Sequence, residues 1–255
     1  MGRSVSVSLL PSLIEKSTDF SQTCSIVIDV LRATSVMTAA GKSGVNRMVT
    51  CGDIDRARAL ADAANATDGS RLNRPLLCGE RHCKPIDGFD LGNSPAEYTR
   101  DVVEGRDMIL TTTNGTRAIQ SVIQSRRLLV SSFLNLDATV TAVDRETIVH
   151  VVCAGTNGEI SLEDVLLAGA IVDRLFHSIE IDRIDDSARI ARHSWQQVQS
   201  GKRPLVELLR QSLGGRNLID VGFAEDIVRC SRINTINGIV ERVHLGESVF
   251  EYRTT

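Results

Sequence analysis

Apolar and polar positions alternate in blocks along most of the chain. Aliphatic and β-branched residues dominate short runs at 5–10, 24–30, 45–51, 76–78, 107–110, 127–132 and 147–153. Runs of this kind predict strands that are buried on both faces. Longer segments with helical spacing lie between them, at 34–42, 54–66, 95–104, 117–124, 136–143 and 162–177. Strands that alternate with helices predict a parallel sheet with right-handed crossovers.

The pattern becomes mainly helical after residue 177. Helical spacing continues over 185–199, 204–213 and 224–229, with Gly214 and Gly215 between the last two segments, and one further strand is predicted at 238–243. The predicted fold class is therefore α/β, with a mostly parallel sheet, flanking helices and a helical C-terminal third. We expect one domain over 1–255, with sub-domains at about 1–178 and 179–255 as the alternative.

Composition narrows the classes of partner. The chain has 255 residues, a net charge of -3 and a pI of about 6.0, and its charges form no basic stripe. These features argue against a nucleic-acid partner, and no apolar run has the length of a membrane span. The six cysteines include no CxxC pair, which favours reduced thiols over disulfides or zinc. With no signal-like N-terminal segment, the chain is predicted to be cytoplasmic.

The most informative stretch follows the second predicted strand. Asp29 interrupts its apolar run, Arg32 comes three residues later, and Thr34 or Ser35 is the expected N-cap of the next helix. A carboxylate, a guanidinium and a helix N-terminus therefore meet at the carboxyl end of a strand, where ligands bind in open α/β sheets. A surface ion pair with a helix cap is the structural alternative for this stretch alone.

Three later strand ends repeat this arrangement. Their polar groups are Glu80 and Arg81, residues 112–116, and, after a glycine-rich turn at 155–158, Glu163 and Asp164. The intervening loop at 82–93 adds Asp90 and Asn93. Because the carboxyl ends of parallel strands share one edge, we expect these groups to meet there. Helix capping at 112–116, a dipole interaction of Glu163 and an Asx turn at Asp90 are the local alternatives.

The combination of groups indicates phosphoryl chemistry. Helix N-termini bind anions, but carboxylates in the same cleft would repel a phosphate unless a hard cation lay between them. Mg²⁺ fits, since it binds one or two carboxylates together with a phosphate. The chain has no Asp-x-Asp at a strand end, no Cys and Arg at the spacing of a cysteine phosphatase loop, and no GxxxxGK[ST]. Direct attack of water on phosphorus is therefore the simplest mechanism.

Five segments together resemble the 2-phosphosulfolactate phosphatase family. They are DVLRAT at 29–34, GER at 79–81, GFDLGNSP at 88–95, TTTNGT at 111–116 and SLED at 161–164, in the family's order. The resemblance extends from about residue 5 to about 245. It implies a fold peculiar to the family and Mg²⁺-dependent hydrolysis of 2-phospho-3-sulfolactate, a step of coenzyme M biosynthesis in some organisms. Two features depart from the family: His82-Cys83 replace an expected glycine-containing turn, and 236–243 lacks a proline.

The predicted site combines three kinds of residue. The catalytic residues are Asp29, Arg32 and Glu80. The substrate-binding residues are Arg32, Arg81, Asn93, Ser94, Thr112, Thr113, Asn114, Gly115 and Thr116. The metal ligands for Mg²⁺ are Asp29, Glu80, Asp90 and Glu163. Either Asp29 or Asp90 is an alternative group for orienting the attacking water.

The expected partner is a small anionic phosphoester, and a homodimer is left open. Two other classes of function use the same anion-binding cleft. One is a phosphotransferase or lyase, and the other is a non-catalytic sensor of a phosphorylated metabolite. Release of inorganic phosphate from a small phosphoester separates a hydrolase from both.

Overall fold

A computed structural model describes residues 3–68, 74–178 and 183–255. The strands are β1 Ser4–Ser8, β2 Cys24–Ile28, β3 Met48–Thr50, β4 Leu76–Arg81, β5 Lys84–Pro85, β6 Met108–Thr111, β7 Arg127–Ser131, β8 Ile148–Cys153, β9 Arg183–Ile184, β10 Gly238–Arg242 and β11 Val249–Thr254. The α-helices are α1 Ala33–Lys42, α2 Ile54–Asp68, α3 Arg100–Val103, α4 Gly115–Ser121, α5 Leu136–Ala142, α6 Leu162–Ser178, α7 Asp186–Gln199, α8 Leu205–Gln211, α9 Leu213–Asp220 and α10 Ala224–Cys230. This alternation confirms the predicted α/β class.

Within the described residues, the strands form one sheet in the order β5-β4-β6-β3-β11-β10-β7-β2-β8-β1-β9. Strands β7, β2, β8, β1 and β9 are mutually parallel, and β3, β6 and β4 form a second parallel group. The antiparallel β10–β11 hairpin lies between the groups and pairs antiparallel with β7 and with β3. Three antiparallel steps separate the groups, so they run in opposite directions.

The expectation that all strand ends share one edge of a parallel sheet is therefore wrong. The ends of β2 and β6 nevertheless meet, because α4, which follows β6, packs against β2. Helix α1 packs against β7, β10 and β11 on the same side of the sheet. Residues of both helices belong to the same hydrophobic core, together with Val27 of β2 and Met108 of β6.

Both faces of the central strands are buried, as their apolar runs predict. Ile26 and Ile28 of β2 contact a core formed with α6 and α7, whereas Val27 contacts the core around α1 and α4. This alternation is the two-residue period of a strand. The core on the Val27 side includes residues of α1 and α4, the helices that follow β2 and β6. The junctions between these strands and helices form the candidate site.

Several elements differ from their predictions. The helix predicted at 95–104 is a 3-10 turn, Pro95–Glu97, followed by the separate helix α3. We expected Gly214 and Gly215 to separate two helices, but both lie within α9. Their lack of a side chain allows other segments of the chain to pack closely against this helix. Strand β11 was not predicted. None of the described helices is long and apolar enough to cross a membrane.

Candidate active site

The junction after β2 places Asp29 and Arg32 at the start of α1. Arg32 is the N-cap residue of α1, so the predicted caps, Thr34 and Ser35, lie within its first turn. Thr34 Oγ1 instead donates to the Asp29 carbonyl oxygen at 2.9 Å and accepts from the Asp29 N–H at 3.1 Å. Asp29 Oδ1 accepts from the Ala33 N–H at 3.3 Å. These bonds hold the Asp29 backbone while leaving its carboxylate weakly engaged.

The Arg32 guanidinium is held by groups that are distant in the sequence. Its Nη1 donates to Asp226 Oδ2 at 2.7 Å, and both side chains are buried. Its Nη2 donates to the Cys83 carbonyl oxygen at 2.8 Å, and Phe223 lies 4.4 Å from the guanidinium carbon. Ser94 Oγ donates to the other oxygen of Asp226 at 2.7 Å. Asp226, on α10, is a site residue that was not predicted, because no local pattern marks it.

Glu80 near the end of β4 accepts two backbone hydrogen bonds. Its Oε1 accepts from the Thr113 N–H, and its Oε2 accepts from the Cys83 N–H, both at 2.8 Å. These bonds join the β4–β5 hairpin to the β6–α4 junction. Backbone donors occupy one lone pair on each oxygen, so Glu80 organises the wall of the site as well as contributing charge.

The turn between β4 and β5 contains only His82 and Cys83. Both residues lie in the left-handed region, with φ values of 53° and 65°. Glu80 pairs with Pro85 and Arg81 with Lys84, so this is a two-residue hairpin of type I′ geometry, which ordinarily favours Asn-Gly. The sequence departed from the expected glycine-containing turn here, and the structure keeps the turn without the glycine.

The junction after β6 approaches Asp29 closely. A Cβ atom at Gly115 would lie 2.6 Å from the Ala33 Cβ and 2.7 Å from Asp29 Oδ2. Only glycine fits here without displacing a neighbour. Thr112 and Thr116 bond to each other, since Thr116 Oγ1 donates to the Thr112 carbonyl oxygen at 2.7 Å. That bond supports their alternative, structural role at the helix start.

These junctions surround a cavity of about 300 Å³, the lower end of the range for small-molecule sites. The turn after β8 and helix α9 form the opposite wall. The described lining residues are Asp29, Leu31, Arg32, Glu80, His82, Cys83, Asn93, Thr113, Asn114, Thr156, Asn157, Gly214, Asn217, Asp220 and Val221. The C-terminal third therefore completes the site.

Six predicted site residues line this cavity, and the structure places the others around it. The six are Asp29, Arg32, Glu80, Asn93, Thr113 and Asn114. Ser94, Thr112, Gly115 and Thr116 lie behind the wall, in the contacts described above. Arg81 Nη2 donates to Thr111 Oγ1 at 2.9 Å, and Asp90 pairs with Arg74 and accepts from the Leu77 N–H. Arg81 Nη1 also donates to the Glu80 carbonyl oxygen at 2.7 Å, and neither Arg81 nor Asp90 lines the cavity.

Glu163 is buried beneath α9. A Cβ atom at Gly214, which lines the cavity, would collide with Glu163 Oε1. The neighbouring Asp164 has a structural role, since it accepts from the Val30 N–H at 2.9 Å and from the Gly155 N–H at 3.0 Å. Asp164 thereby ties the β2 and β8 ends together.

Burial, with neighbouring carboxylate charges at two of the positions, raises the pKa values of three acidic groups here. Burial, followed by the nearby charges of Glu80 and Glu163, raises the pKa of Asp29 to about 7. Burial also raises the pKa of Glu163, and burial with the charges of Asp29 and Glu163 raises that of Asp164. A cation at this position would relieve that repulsion.

Unpaired oxygen atoms are concentrated at the same place. In the described part of the chain, four buried side-chain oxygens lack a hydrogen-bond partner: Asn65 Oδ1, Asn93 Oδ1, Thr113 Oγ1 and Glu163 Oε2. The last three lie on the cavity wall or directly behind it. Buried polar atoms are normally satisfied, so these oxygens are available to a ligand, a water or an ion. Oxygen donors are the ligands that Mg²⁺ prefers.

No preformed metal cluster exists among the residues that the structure describes, since no three His, Cys, Asp or Glu side chains converge on one point. The predicted set of Asp29, Glu80, Asp90 and Glu163 is therefore not a single cluster, because Asp90 pairs with Arg74 elsewhere. Mg²⁺ needs only one or two protein carboxylates, with phosphate and waters as its other ligands. Asp29 and the unpaired oxygens fit that requirement.

The thiols near the site are poor nucleophile candidates. Burial raises the pKa of Cys78 to about 12 and raises that of Cys153 as well. Burial, with the Glu80 charge, also raises the pKa of Cys83. Each group is therefore more completely protonated at neutral pH than an ordinary thiol, which opposes nucleophilic catalysis.

The protein is thus an α/β protein whose cavity is lined by carboxylates and an arginine. The family model described as 2-phosphosulpholactate phosphatase matches residues 8–244, and the chain belongs to that family. Membership supports phosphatase activity.

Several relatives carry the name probable 2-phosphosulfolactate phosphatase. The relative from Pseudothermotoga lettingae is 42% identical over 207 residues, covering 81% of this chain and 84% of its own length. The relative from Thermotoga petrophila is 38% identical, covering 81% and 83%, and that from Clostridium perfringens is 35% identical, covering 85% and 84%. The resemblance inferred from the motifs is thus confirmed.

Proposed function

We propose that this protein is a Mg²⁺-dependent phosphatase that hydrolyses 2-phospho-3-sulfolactate to 3-sulfolactate and phosphate. The observation that carries the proposal is the meeting of Asp29, Arg32 and the unpaired oxygens of Asn93 and Thr113 at one cavity, with that of Glu163 behind its wall. Family membership supports the reaction class, and the names of the relatives support the substrate. A cytoplasmic location and a role in coenzyme M biosynthesis belong to the same proposal.

Asp29 and Glu80 would hold the metal, with Glu163 as a further candidate behind Gly214. The oxygens of Asn93 and Thr113 are available to the metal, to its waters or to the substrate. Bound Mg²⁺ would neutralise phosphate charge and polarise the phosphoryl group. The Asp29 carboxylate is less engaged than that of Glu80, since its one described hydrogen bond is 3.3 Å long whereas Glu80 accepts two at 2.8 Å.

Arg32 would bind phosphate oxygens. Two of its five N–H groups are used by Asp226 and Cys83, which fix the plane of the guanidinium. The remaining donors can contact the substrate in a position set before binding. Such preorganised donors stabilise the charge that is rearranged in phosphoryl transfer.

The reaction requires no side-chain nucleophile. The oxygen of water bonds to phosphorus while the bond between phosphorus and the ester oxygen breaks, and a proton from water reaches the sulfolactate oxygen. Asp29 is positioned to orient the water if it does not bind the metal directly. The described thiols remain protonated and take no part.

A phosphate-release screen tests this proposal. Purified protein is incubated with 2-phosphosulfolactate, 2-phospholactate, phosphoglycolate and p-nitrophenyl phosphate in the presence of Mg²⁺. We expect the highest kcat/KM on 2-phosphosulfolactate. Tight binding of that compound without phosphate release would favour a sensor, and phosphate appearing only on a second acceptor would favour a phosphotransferase.

A further inference from the structure

The proposed substrate presents more negative charge than its phosphate alone. It carries a carboxylate and a sulfonate, and each needs hydrogen-bond donors in the cavity. The charged side chains in the described lining are Asp29, Glu80 and Asp220, which are acidic, and Arg32, which is already paired with Asp226. An additional donor for the acid groups is therefore expected on the wall.

His82 lies on that wall and is exposed to solvent. Within the described residues its imidazole has no hydrogen bond, ion pair or ring contact, so no interaction inside the protein explains its presence. The backbone conformation also argues against a chance choice of residue here. The φ angle of His82 is 53°, in the left-handed region that L-residues disfavour. Residues in such conformations concentrate at functional sites.

The backbone of the neighbouring Cys83 anchors the turn by two hydrogen bonds. The Cys83 N–H donates to Glu80 and the Cys83 carbonyl oxygen accepts from Arg32, each at 2.8 Å. The two groups proposed to handle phosphate and metal therefore also set the position of the turn. The backbone that carries His82 is consequently held close to Arg32 and Glu80.

We propose that His82 is a specificity-determining residue whose imidazole N–H binds the non-reacting acid group of the substrate. This inference rests on the proposed function. It explains why this hairpin carries histidine where type I′ geometry favours asparagine or glycine. It also assigns a function to the position at which the sequence departs from the expected family turn.

Two substitutions test the inference. His82→Asn keeps a residue that tolerates the left-handed region but removes the imidazole, and His82→Gly also removes the steric conflict. For both we expect kcat/KM on 2-phosphosulfolactate to fall about 10-fold or more, mainly through KM, as for loss of one hydrogen bond to a charged group. The melting temperature of His82→Gly should equal or exceed that of the wild type. A merely structural histidine would lower both quantities together.

Substrates provide the second arm. Neither variant should change kcat/KM on p-nitrophenyl phosphate, which has no carboxylate or sulfonate. A loss on 2-phosphosulfolactate but not on 2-phospholactate identifies the sulfonate as the bound group, and an equal loss on both identifies the carboxylate. The control is His193→Asn, an exposed histidine on α7, which should leave all rates unchanged.

Equal losses on all three substrates, or no loss on any, would overturn the inference. Failure of the proposed function would look different, because the wild type itself would then release no phosphate from 2-phosphosulfolactate. In that case calorimetric titration with 2-phosphosulfolactate still decides the question. An unchanged Kd in His82→Asn rejects the role of His82, and a weakened Kd supports it.

Discussion

The two strand ends that carry the principal carboxylates are constructed in opposite ways. After β2, Asp29 lies at a strand-to-helix junction, and its carboxylate accepts one long hydrogen bond. Near the end of β4, Glu80 lies beside a hairpin turn with two left-handed residues, and it accepts two short backbone hydrogen bonds. The Asp29 carboxylate is thus left largely free for other ligands, whereas the Glu80 carboxylate is engaged by the turn beside it and by the β6–α4 junction.

This contrast suggests a reactive role for one carboxylate and a structural role for the other. We infer that Asp29 mainly interacts with metal, water or substrate, and that Glu80 mainly holds the turn and the Thr113 wall. Arg32 links the two ends, since it follows Asp29 in the chain and bonds to the Cys83 carbonyl oxygen. The predictions below test that division of roles.

Asp29→Asn should have the largest effect on activity. The amide keeps the shape but removes the charge that a hard cation requires, so kcat should fall on the order of 10²–10³-fold. High Mg²⁺ should restore it only in part. The melting temperature should not fall, because the substitution removes one of several mutually repelling buried carboxylates. Near-normal turnover in a folded variant would place the chemistry elsewhere.

Arg32→Lys should have the second-largest effect on activity. It keeps the charge but loses the planar fork, so we expect a loss of about 2–4 kcal/mol in transition-state stabilisation, with a higher KM and a lower kcat. Steady-state kinetics measure it.

Asp226→Asn is the companion variant to Arg32→Lys. It leaves the Arg32 guanidinium without its buried partner, a change that destabilises folded proteins by about 3–5 kcal/mol. Its neighbour Glu225, which is exposed on α10, provides the control Glu225→Gln. Wild-type kinetics in Arg32→Lys would reduce the ion pair to a structural role.

Glu80→Gln should affect stability more and chemistry less than Asp29→Asn. The amide NH₂ would face a backbone N–H, leaving either Cys83 or Thr113 without an acceptor, at about 1–3 kcal/mol. We expect a lower melting temperature and an activity loss on the order of 10-fold, the equivalent of about 1.4 kcal/mol. The comparison fails if Glu80→Gln melts like the wild type while its kcat falls as far as that of Asp29→Asn.

Serine substitutions of Cys78, Cys83 and Cys153 should have the smallest effect on chemistry. Cys78 lies on β4, Cys83 in the hairpin and Cys153 at the end of β8, and burial raises the pKa of each thiol. Every variant should retain a measurable rate of phosphate release, although the two fully buried positions can lose stability. Complete loss of turnover in one folded variant would instead support a thiol nucleophile.

The sequence predicts local features of this molecule well. The β2 run, the junction at Asp29 and Arg32, and the helix after Gly115 all follow from short-range patterns of apolar, capping and turn residues. The family resemblance also rests on such segments. Of the six predicted site residues that line the cavity, Asp29, Arg32, Thr113 and Asn114 belong to these junctions, whereas Glu80 lies on β4 and Asn93 in the loop after β5.

The remaining features depend on contacts between distant parts of the chain. The β10–β11 hairpin reverses one half of the sheet, and no local pattern shows where a hairpin will insert. Asp226 pairs with a residue 194 positions away, so it has no spacing to recognise. Arg81 was predicted to bind substrate, but the structure pairs it with Thr111 and backbone oxygens, which only the tertiary fold brings near. Gly214 and Gly215 do not end a helix; they allow α9 to pack closely against Glu163 and Leu209.

The central claim is that the oxygen-rich cavity binds Mg²⁺ and uses it to hydrolyse a small phosphoester. The direct measurement is phosphate release from 2-phosphosulfolactate by the wild-type protein, first with excess chelator and then with Mg²⁺ added back. We expect chelation to abolish turnover and added Mg²⁺ to restore it. Full activity in excess chelator would rule out a metal-dependent reaction.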